Sequence, residues 1–394
     1  MAYAWRPAML AGFLAVLLYF LLWFKLGSLV AGLSPEEAIA QRHLALKDIS
    51  FRSLLNNPLY LPYSLILYVL QALGLHGPTA LRGVSAVIGT ISAVAFYLII
   101  RRWHTPRLAL FGTLLFSTSS WFLHLSRYGS TDILYVGIIA VLLTGVWLQQ
   151  SKRRRLMLVF ALLAGTLYVY VPGMIWFILI IGFWQARRLI GEMKRVPWWF
   201  NVLIGLGGVA LLFPLGWSLV QNPLLIKPLL GLPERWPTIG ELLGNIINIP
   251  MHIFVRGPND PAKWLPGTSY LDIFSGMMLI IGAYWSLFRF RLDRVRVTYG
   301  VLILGTLLII SGGPTSIALL LAPLYLLITA GMTFMLQQWF TVFPRNPIAR
   351  SVGTSLLSLA VLVTVFYHIN HYFIAWPHAP AVRNTFTHKP LIVD

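Results

Sequence analysis

Apolar runs long enough to cross a lipid bilayer recur along the whole sequence, and they constrain the fold more than any other feature. A hydrocarbon core about 30 Å thick takes about 20 apolar residues of helix to cross. Hydrophobic residues make up 58% of the 394-residue chain and charged residues only 10%. Because a soluble domain carries about 25% charged residues, the sequence predicts an all-α integral membrane protein.

The apolar runs predict a polytopic bundle of about eleven transmembrane helices. Basic clusters fall between alternate runs, which is typical of cytoplasmic loops and places the N-terminus inside and the C-terminus outside the cytoplasmic membrane. The apolar segment 58–75 is left out of the count, because a crossing there would move the Arg101 cluster outside; it is interpreted as an outer juxtamembrane helix. The predicted spans are 8–26, 80–100, 107–124, 132–149, 156–170, 172–186, 200–220, 270–288, 296–312, 316–336 and 351–369.

The charge pattern also limits the partners. The net charge is +19, yet the positive residues concentrate in the predicted inner loops, where Glu192 and Asp293 are the only acids. The excess is therefore mainly a topology signal, helped by anionic membrane lipids, and we expect no nucleic acid binding. The absence of cysteine excludes disulfides and thiolate metal sites.

The chain is predicted to be a single membrane domain, 1–394, with most of its chemically capable side chains on the outer face. The outer segments are a first outer loop with juxtamembrane helices at 27–77, a large outer loop at 221–270, and a short C-terminal tail at 370–394. Candidate functional residues are therefore sought in these segments and at the outer ends of the spans.

The first outer loop begins with Ser34-Pro35-Glu36-Glu37, which predicts the start of a helix. Ser34 suits the N-cap, and Glu37, three residues later, can close a capping box. A purely structural interpretation explains Glu37 well, but Glu36 only as one more anion at a helix N-terminus. Glu36 is therefore the carboxylate left to face a substrate.

Three further charged residues lie at the outer ends of spans, where unpaired charge is costly and commonly functional. Arg127 and Asp132 flank one outer corner, "HLSRYGSTDI", and could also pair with each other, or Asp132 could cap the next helix. Arg82 could extend to the interface or bind a phosphate through its guanidinium. In the large outer loop, Lys227 and Arg256 are the basic candidates for an anionic headgroup.

Metal and nucleotide motifs are absent from the sequence. No HExxH, P-loop or GxSxG pattern occurs, and the histidines are scattered, so the metal-binding residues are unknown. A divalent cation is possible but is not required by the sequence.

Several stretches, in this order, resemble glycosyltransferase family 39 and its relatives of the membrane C-type fold, which include protein O-mannosyltransferases and the lipid A aminoarabinose transferase. The resemblance covers nearly the whole chain and depends on the order of weak motifs. These are Glu36-Glu37-Ala38 in the place of the family's acidic pair, "NNPLYLPYSLILYVLQALGLHG", Leu81-Arg82, Ser126-Arg127 with Asp132, Leu265-Pro266-Gly267 with Leu271-Asp272, and "YFIAWPHAPAVRNTF".

The resemblance implies an inverting transfer of a sugar from a polyprenyl phosphate to a lipid, glycan or protein acceptor outside the cytoplasmic membrane. Glu36 would be the general base, with Glu37 and Asp132 beside it. The phosphate would be bound by Arg127 and Arg82, with Lys227 or Arg256 contributed by the loop. His43, Asn57 and Tyr60 would lie on the acceptor side of the first loop.

Two departures from the family pattern keep other functions open. Glu36 stands where the family usually has aspartate, and Asn57 stands where it has a small residue or histidine. One alternative is therefore a scaffold that has the fold without the chemistry. The other is a flippase or transporter of lipid-linked sugars, although transporters usually place ionisable groups near the membrane midplane in paired halves.

Overall fold

The computed structural model describes residues 5–30, 32–45, 58–148 and 154–387, and these are helical with no strand among them. Short 3₁₀ turns cover Pro223–Leu225 and Ile317–Leu320, and a π-helical turn covers His371–Ala375. In chain order, the α-helices are α1 (Trp5–Trp23), α2 (Pro35–Ala45), α3 (Leu61–Ala72), α4 (Gly77–Trp103), α5 (Pro106–Thr118), α6 (Ser120–Arg127), α7 (Ile133–Val136), α8 (Ile138–Leu148), α9 (Arg154–Tyr168), α10 (Met174–Met193), α11 (Trp198–Gln221), α12 (Ile226–Leu229), α13 (Ile239–Phe254), α14 (Ile273–Leu287), α15 (Asp293–Ile310), α16 (Leu321–Val342), α17 (Pro347–Asn370), α18 (Trp376–His378) and α19 (Pro380–Thr385).

Within the described residues, five helical segments are long and apolar enough to cross a membrane, and a bent pair, α5 with α6, makes a sixth. The chain is thus a helical membrane protein with five or six candidate spans, where the sequence predicts about eleven. The other predicted crossings fall on helices that are shorter or more charged. The predicted span 132–149, for example, is divided between α7 and α8. The five segments are Gly77–Trp103, Met174–Met193, Trp198–Gln221, Ile317–Val342 and Pro347–His378.

Two of these segments form the centre of the bundle. The apolar window of Ile317–Val342 is 89% buried and that of α4 is 67% buried, whereas α10 and α11 are only 11% and 17% buried. The peripheral helices therefore present large apolar side chains outward, as lipid-facing helices do. Val209 and Leu206 of α11, for example, are exposed.

The predicted helix starts near the first outer loop are present, but the large outer loop contains a helix that we did not predict. α2 begins at Pro35, directly after Ser34, and α3 lies within the predicted juxtamembrane segment 58–75. The region 221–270 contains α13, which starts with a capping box between Thr238 and Glu241. That Thr-x-x-Glu signal is readable in the sequence.

The bend between α5 and α6 is stabilised by a buried polar network. The two axes differ by 57°, and the bend leaves the backbone N–H of Ser120 without its intrahelical partner. This N–H donates to His368 Nδ1 at 3.2 Å, and the hydroxyl of Ser120 lies 2.9 Å from the same nitrogen. His368 Nε2 lies 3.1 Å from Asp272, which also caps the start of α14. The network therefore joins the bend to α14 and α17.

The helices α14 and α16 approach each other through glycine. A methyl group on Gly282 would collide with the Leu327 carbonyl oxygen, and one on Gly331 would collide with the Met278 carbonyl oxygen. Small residues at membrane helix interfaces let backbones come this close. The two glycines therefore set the distance between α14 and the central helix α16.

We predict that Gly282→Ala lowers the free energy of unfolding by about 1–3 kcal/mol, because the methyl group overpacks the interface. Gly300→Ala is the matched control, since a methyl group at Gly300 meets no described atom within 4 Å and alanine favours the helix by up to about 1 kcal/mol. Thermal unfolding in detergent measures both. Equal midpoints for the two variants would contradict the close approach of α14 and α16.

Candidate active site

A buried ion pair joins the first loop to the central helix. The Arg82 Nε and Nη2 donate to the two carboxylate oxygens of Glu37, each at 2.8 Å. The side chain of Glu37 is fully buried and that of Arg82 is only 5% exposed. This bidentate geometry is the strongest form of a charged hydrogen bond in proteins.

The remaining polar capacity of this pair is also used. The Glu37 carboxylate accepts from the backbone N–H groups of Ser34 and Gly129, at 3.2 and 3.1 Å. The other N–H groups of Arg82 point to backbone carbonyls of the α1–α2 connection, with Gly32 at 2.9 Å and Leu26 and Val30 at 3.4 and 3.5 Å. The pair therefore holds α2, α4 and the turn after α6 together.

This geometry favours positioning roles for both residues over the roles predicted from the sequence. Glu37 closes the capping box with Ser34, whose hydroxyl accepts from the Glu37 N–H at 3.1 Å. Arg82 has an acceptor for each N–H group, so binding a phosphate would require it to leave Glu37. Removing either partner would leave a buried charge uncompensated.

Glu36, one residue earlier, lies in a different environment. Its side chain is 56% exposed, and its two carboxylate oxygens lie 2.9 and 3.0 Å from Lys263 Nζ. The Tyr128 hydroxyl donates to the same carboxylate at 3.3 Å. Lys263 Nζ also lies 4.0 Å from Asp132. One ammonium group therefore bridges carboxylates from the first loop and from the corner after α6, which the sequence predicts to be neighbours.

A cavity of about 290 Å³ opens beside this cluster. Its polar wall includes Asp132, Lys263 and Asp260, and its apolar wall is built largely from aromatic rings. Trp121 and Tyr270 stack on each other with centroids 4.2 Å apart. The remaining lining residues include His124, Tyr128, Ser130, His252, Pro258 and Ser316. A mainly apolar hollow with a few convergent polar groups is the usual form of a small-molecule site.

The charge of Lys263 is stabilised by its surroundings. Burial disfavours the ammonium form, but the hydrogen bond to Glu36 and the carboxylates of Asp132, Glu36 and Asp260 outweigh it, so the pKa of Lys263 is raised. The ammonium is therefore retained at every pH below the ordinary lysine value of about 10.4. Its electrostatic contribution is lost only when the pH rises through the raised pKa.

Arg127 and Asp132 do not pair with each other among the described contacts, and Asp132 stands at the N-cap position of α7 without a capping hydrogen bond from its side chain. The Arg127 guanidinium donates to the carbonyls of Leu21 and Phe24, at 2.7 and 2.6 Å, near the end of α1. It also lies over the Tyr372 and Phe373 rings. Among the described residues, no carboxylate lies within 4.0 Å of it and its Nε has no hydrogen-bond partner. Arg127 is therefore a buried cation behind the cavity.

The remaining predicted residues differ in their distance from the cavity. Arg256 is exposed and close to His252, a lining residue, whose pKa is lowered by burial and by the Arg256 charge. The phenol of Tyr60 lies near Asp132, and burial raises its pKa. Lys227 is exposed on α12 and does not line the cavity. Asn57 and the side chain of His43 lie outside the described residues.

Lys263 is the main site residue that we did not select from the sequence. It was one of several charged residues in a loop rich in proline and glycine, with no local feature to distinguish it. Asp260, three residues earlier, accepts the Ala262 N–H at 3.0 Å and its carbonyl accepts from Lys263. This turn chemistry predicts a compact loop, but not the direction of the lysine.

Among the described residues, no group of three histidine or acidic side chains lies close enough to hold a metal ion. Comparisons with known proteins give no match: no protein-family model, no curated protein and no solved structure matches this chain. Functional inference therefore depends on the geometry of the Glu36–Lys263–Asp132 cluster and its cavity.

We predict strong coupling within the buried pair. Glu37→Gln and Arg82→Gln should each cost about 3–5 kcal/mol of stability, because each leaves one buried charge unpaired. The double variant should cost clearly less than their sum, since no charge remains. Unfolding of all four proteins in detergent gives the coupling free energy.

The exposed pair Asp293–Arg296 is the control for this cycle. Asp293→Asn should change stability by at most about 1 kcal/mol. Additive effects of the two substitutions at Glu37 and Arg82 would show that the buried pair does not act as a unit.

Proposed function

We propose that this protein is an inverting glycosyltransferase that moves a sugar from a polyprenyl-phosphate donor to an acceptor at the outer face of the cytoplasmic membrane. The observation that carries the proposal is the exposed Glu36 carboxylate, held by Lys263 and Tyr128, which both line the aromatic cavity. A general base must be accessible to a substrate, and the Glu36 side chain is 56% exposed whereas that of Glu37 is fully buried.

We also propose the finer architecture predicted from the sequence, namely eleven crossings in the C-type arrangement. Contacts between distant segments agree with it, because predicted outer segments touch outer ones and inner segments touch inner ones. On the outer side, Lys263 contacts Glu36, and the Tyr135 hydroxyl donates to the Pro314 carbonyl. On the inner side, Arg294 donates to the Trp103 carbonyl.

The chemistry follows from the placement of charge. An acceptor oxygen attacks the anomeric carbon, its proton passes to the Glu36 carboxylate, and the bond to the phosphate oxygen breaks with its electron pair. Fixed cations stabilise the negative charge that develops on the leaving phosphate. Lys263 is the cation in the cavity wall. Arg256 lies near His252, another residue of that wall, and Arg127 adds a positive charge from behind the cavity.

Asp132 has a supporting role in this proposal. It lies across Lys263 from Glu36, so it restrains the ammonium group and can accept a hydrogen bond from an acceptor hydroxyl. The polyprenyl tail would remain among the lipid-facing helices. Such a donor carries its own leaving group, so the reaction needs no nucleotide-binding domain.

We predict that Glu36→Gln reduces transfer by about 10²–10⁴-fold, because the amide cannot accept the proton, while donor binding is retained. Glu36→Asp should recover part of the activity. The assay incubates purified protein with labelled polyprenyl-phosphate sugars and acceptor lipids or peptides. Glu234→Gln is the matched control, since Glu234 is exposed in the same outer region. Near-normal transfer by Glu36→Gln would refute the base assignment.

A second comparison separates two lysines. We expect Lys263→Met to lower transfer by about 10²-fold, because it removes a fixed cation from the site, and Lys263→Arg to recover part of it. Lys227→Met should have little effect, as Lys227 does not line the cavity. If Lys227→Met were the more damaging of the two, the phosphate would have to be placed near α12 instead.

The same materials distinguish the two alternative functions. Donor binding with neither transfer nor hydrolysis would support an inactive scaffold. Movement of labelled donor across vesicles without transfer would support a flippase. The clustering of charges at one end of the bundle, away from the midplane, favours the transferase over the flippase.

A further inference from the structure

A second cavity lies at the opposite end of the bundle from Glu36. It has a volume of about 370 Å³ and is formed where α4, α14 and α16 meet the start of α5 and α15. Trp103, at the end of α4, is one of its walls; it is 21 residues from Arg82, or about 30 Å along the helix. This cavity is therefore separate from the candidate active site.

Two arginines line this cavity without a carboxylate partner. Arg294 Nη1 donates to the Trp103 carbonyl at 2.7 Å, and the Arg289 guanidinium stacks over Trp285 at 4.3 Å. No lining residue is acidic, and in the described part of the chain no carboxylate lies within 4.0 Å of either guanidinium. Burial and the charge of Arg289 both lower the pKa of Arg294. Two neighbouring cations are thus left for an anion to neutralise.

The rest of the lining is apolar apart from His104, Thr105, Thr333 and Gln337. Trp103, Trp285 and Phe340 supply aromatic rings, and Leu108 and Leu336 supply aliphatic surface. Gln337 also lines the cavity and adds an amide. Aromatic rings beside arginines at the ends of membrane helices are typical of the interface between headgroups and acyl chains.

We propose that this cavity binds the phosphate of an anionic membrane phospholipid, with Arg289 and Arg294 as its ligands. The guanidinium group suits a phosphate because it can donate two parallel hydrogen bonds. Acyl chains would lie along the exposed apolar side chains nearby, which include Leu287, Phe288 and Val342. Basic pockets between membrane helices are a common form of headgroup site.

The surroundings favour a lipid over free phosphate as the source of this anion. A small inorganic ion would fill little of a 370 Å³ cavity and would make no use of its three aromatic rings. A phospholipid uses both parts of the surface, since its phosphate meets the arginines and its glycerol region meets the rings. This inference does not depend on the proposed transferase activity.

The test titrates the full-length protein in detergent with dioleoyl phosphatidylglycerol, and separately with dioleoyl phosphatidylcholine or inorganic phosphate. Native mass spectrometry counts the bound lipid. We expect phosphatidylglycerol to bind at least about 10-fold more tightly than phosphatidylcholine, and we expect Arg289→Gln and Arg294→Gln each to weaken it by about 10-fold, as expected for a lost charged hydrogen bond.

Arg291→Gln is the matched control, because Arg291 lies in the same turn with the same charge but does not line the cavity; it should stay within about 2-fold of the unmodified protein. If Arg294→Gln fails to fold, Arg289→Gln still tests the site, because stacking on Trp285 is the side-chain contact that the structure describes for Arg289. Equal losses for Arg289→Gln and Arg291→Gln would overturn the proposal. Displacement of the lipid by millimolar inorganic phosphate would overturn the choice of a lipid.

Discussion

The bidentate pair between Glu37 and Arg82 is the interaction on which the arrangement of the candidate site depends. It is buried, the other N–H groups of the arginine point to backbone carbonyls, and the pair joins the first loop to the central helix and to the turn after α6. Because α2 is fixed by Glu37, the preceding residue, Glu36, is left to contact Lys263 and Tyr128, two residues that line the cavity. Two adjacent carboxylates thus take different roles through their environments alone.

The bundle around this pair shows a consistent use of polar groups within an apolar medium. Among the described contacts, Arg127 is stabilised by backbone carbonyls and aromatic faces and not by a carboxylate, and the N–H of Ser120 at the bend donates to His368. Lys263 reaches the cluster from a loop over 200 residues away in sequence. Long-range contacts of this kind let segments that are separate in the sequence form one site.

Sequence patterns predicted the elements of this structure better than the contacts between them. The apolar runs predicted a helical membrane protein, and the Ser34–Glu37 spacing predicted the capping box, because both depend on residues close in the chain. The prediction that Glu36 and Asp132 lie at the same membrane face also predicted that the two residues are neighbours. The partner of Arg82 and the importance of Lys263 could not be predicted, because a guanidinium or an ammonium on a helix or loop has many possible partners until packing selects one.

The 57° bend between α5 and α6 has a consequence for depth. α6 has eight residues, so it is about 12 Å long, and tilting it by this angle shortens its rise by about 5 Å relative to a straight continuation of α5. The same tilt carries its end sideways by about 10 Å. The cavity-lining residues His124 and Tyr128 therefore lie lower along the axis of α5 than they would on a straight continuation of that helix. For the proposed transferase, this shortens the distance that a donor anchored by its tail would have to rise to reach the cavity.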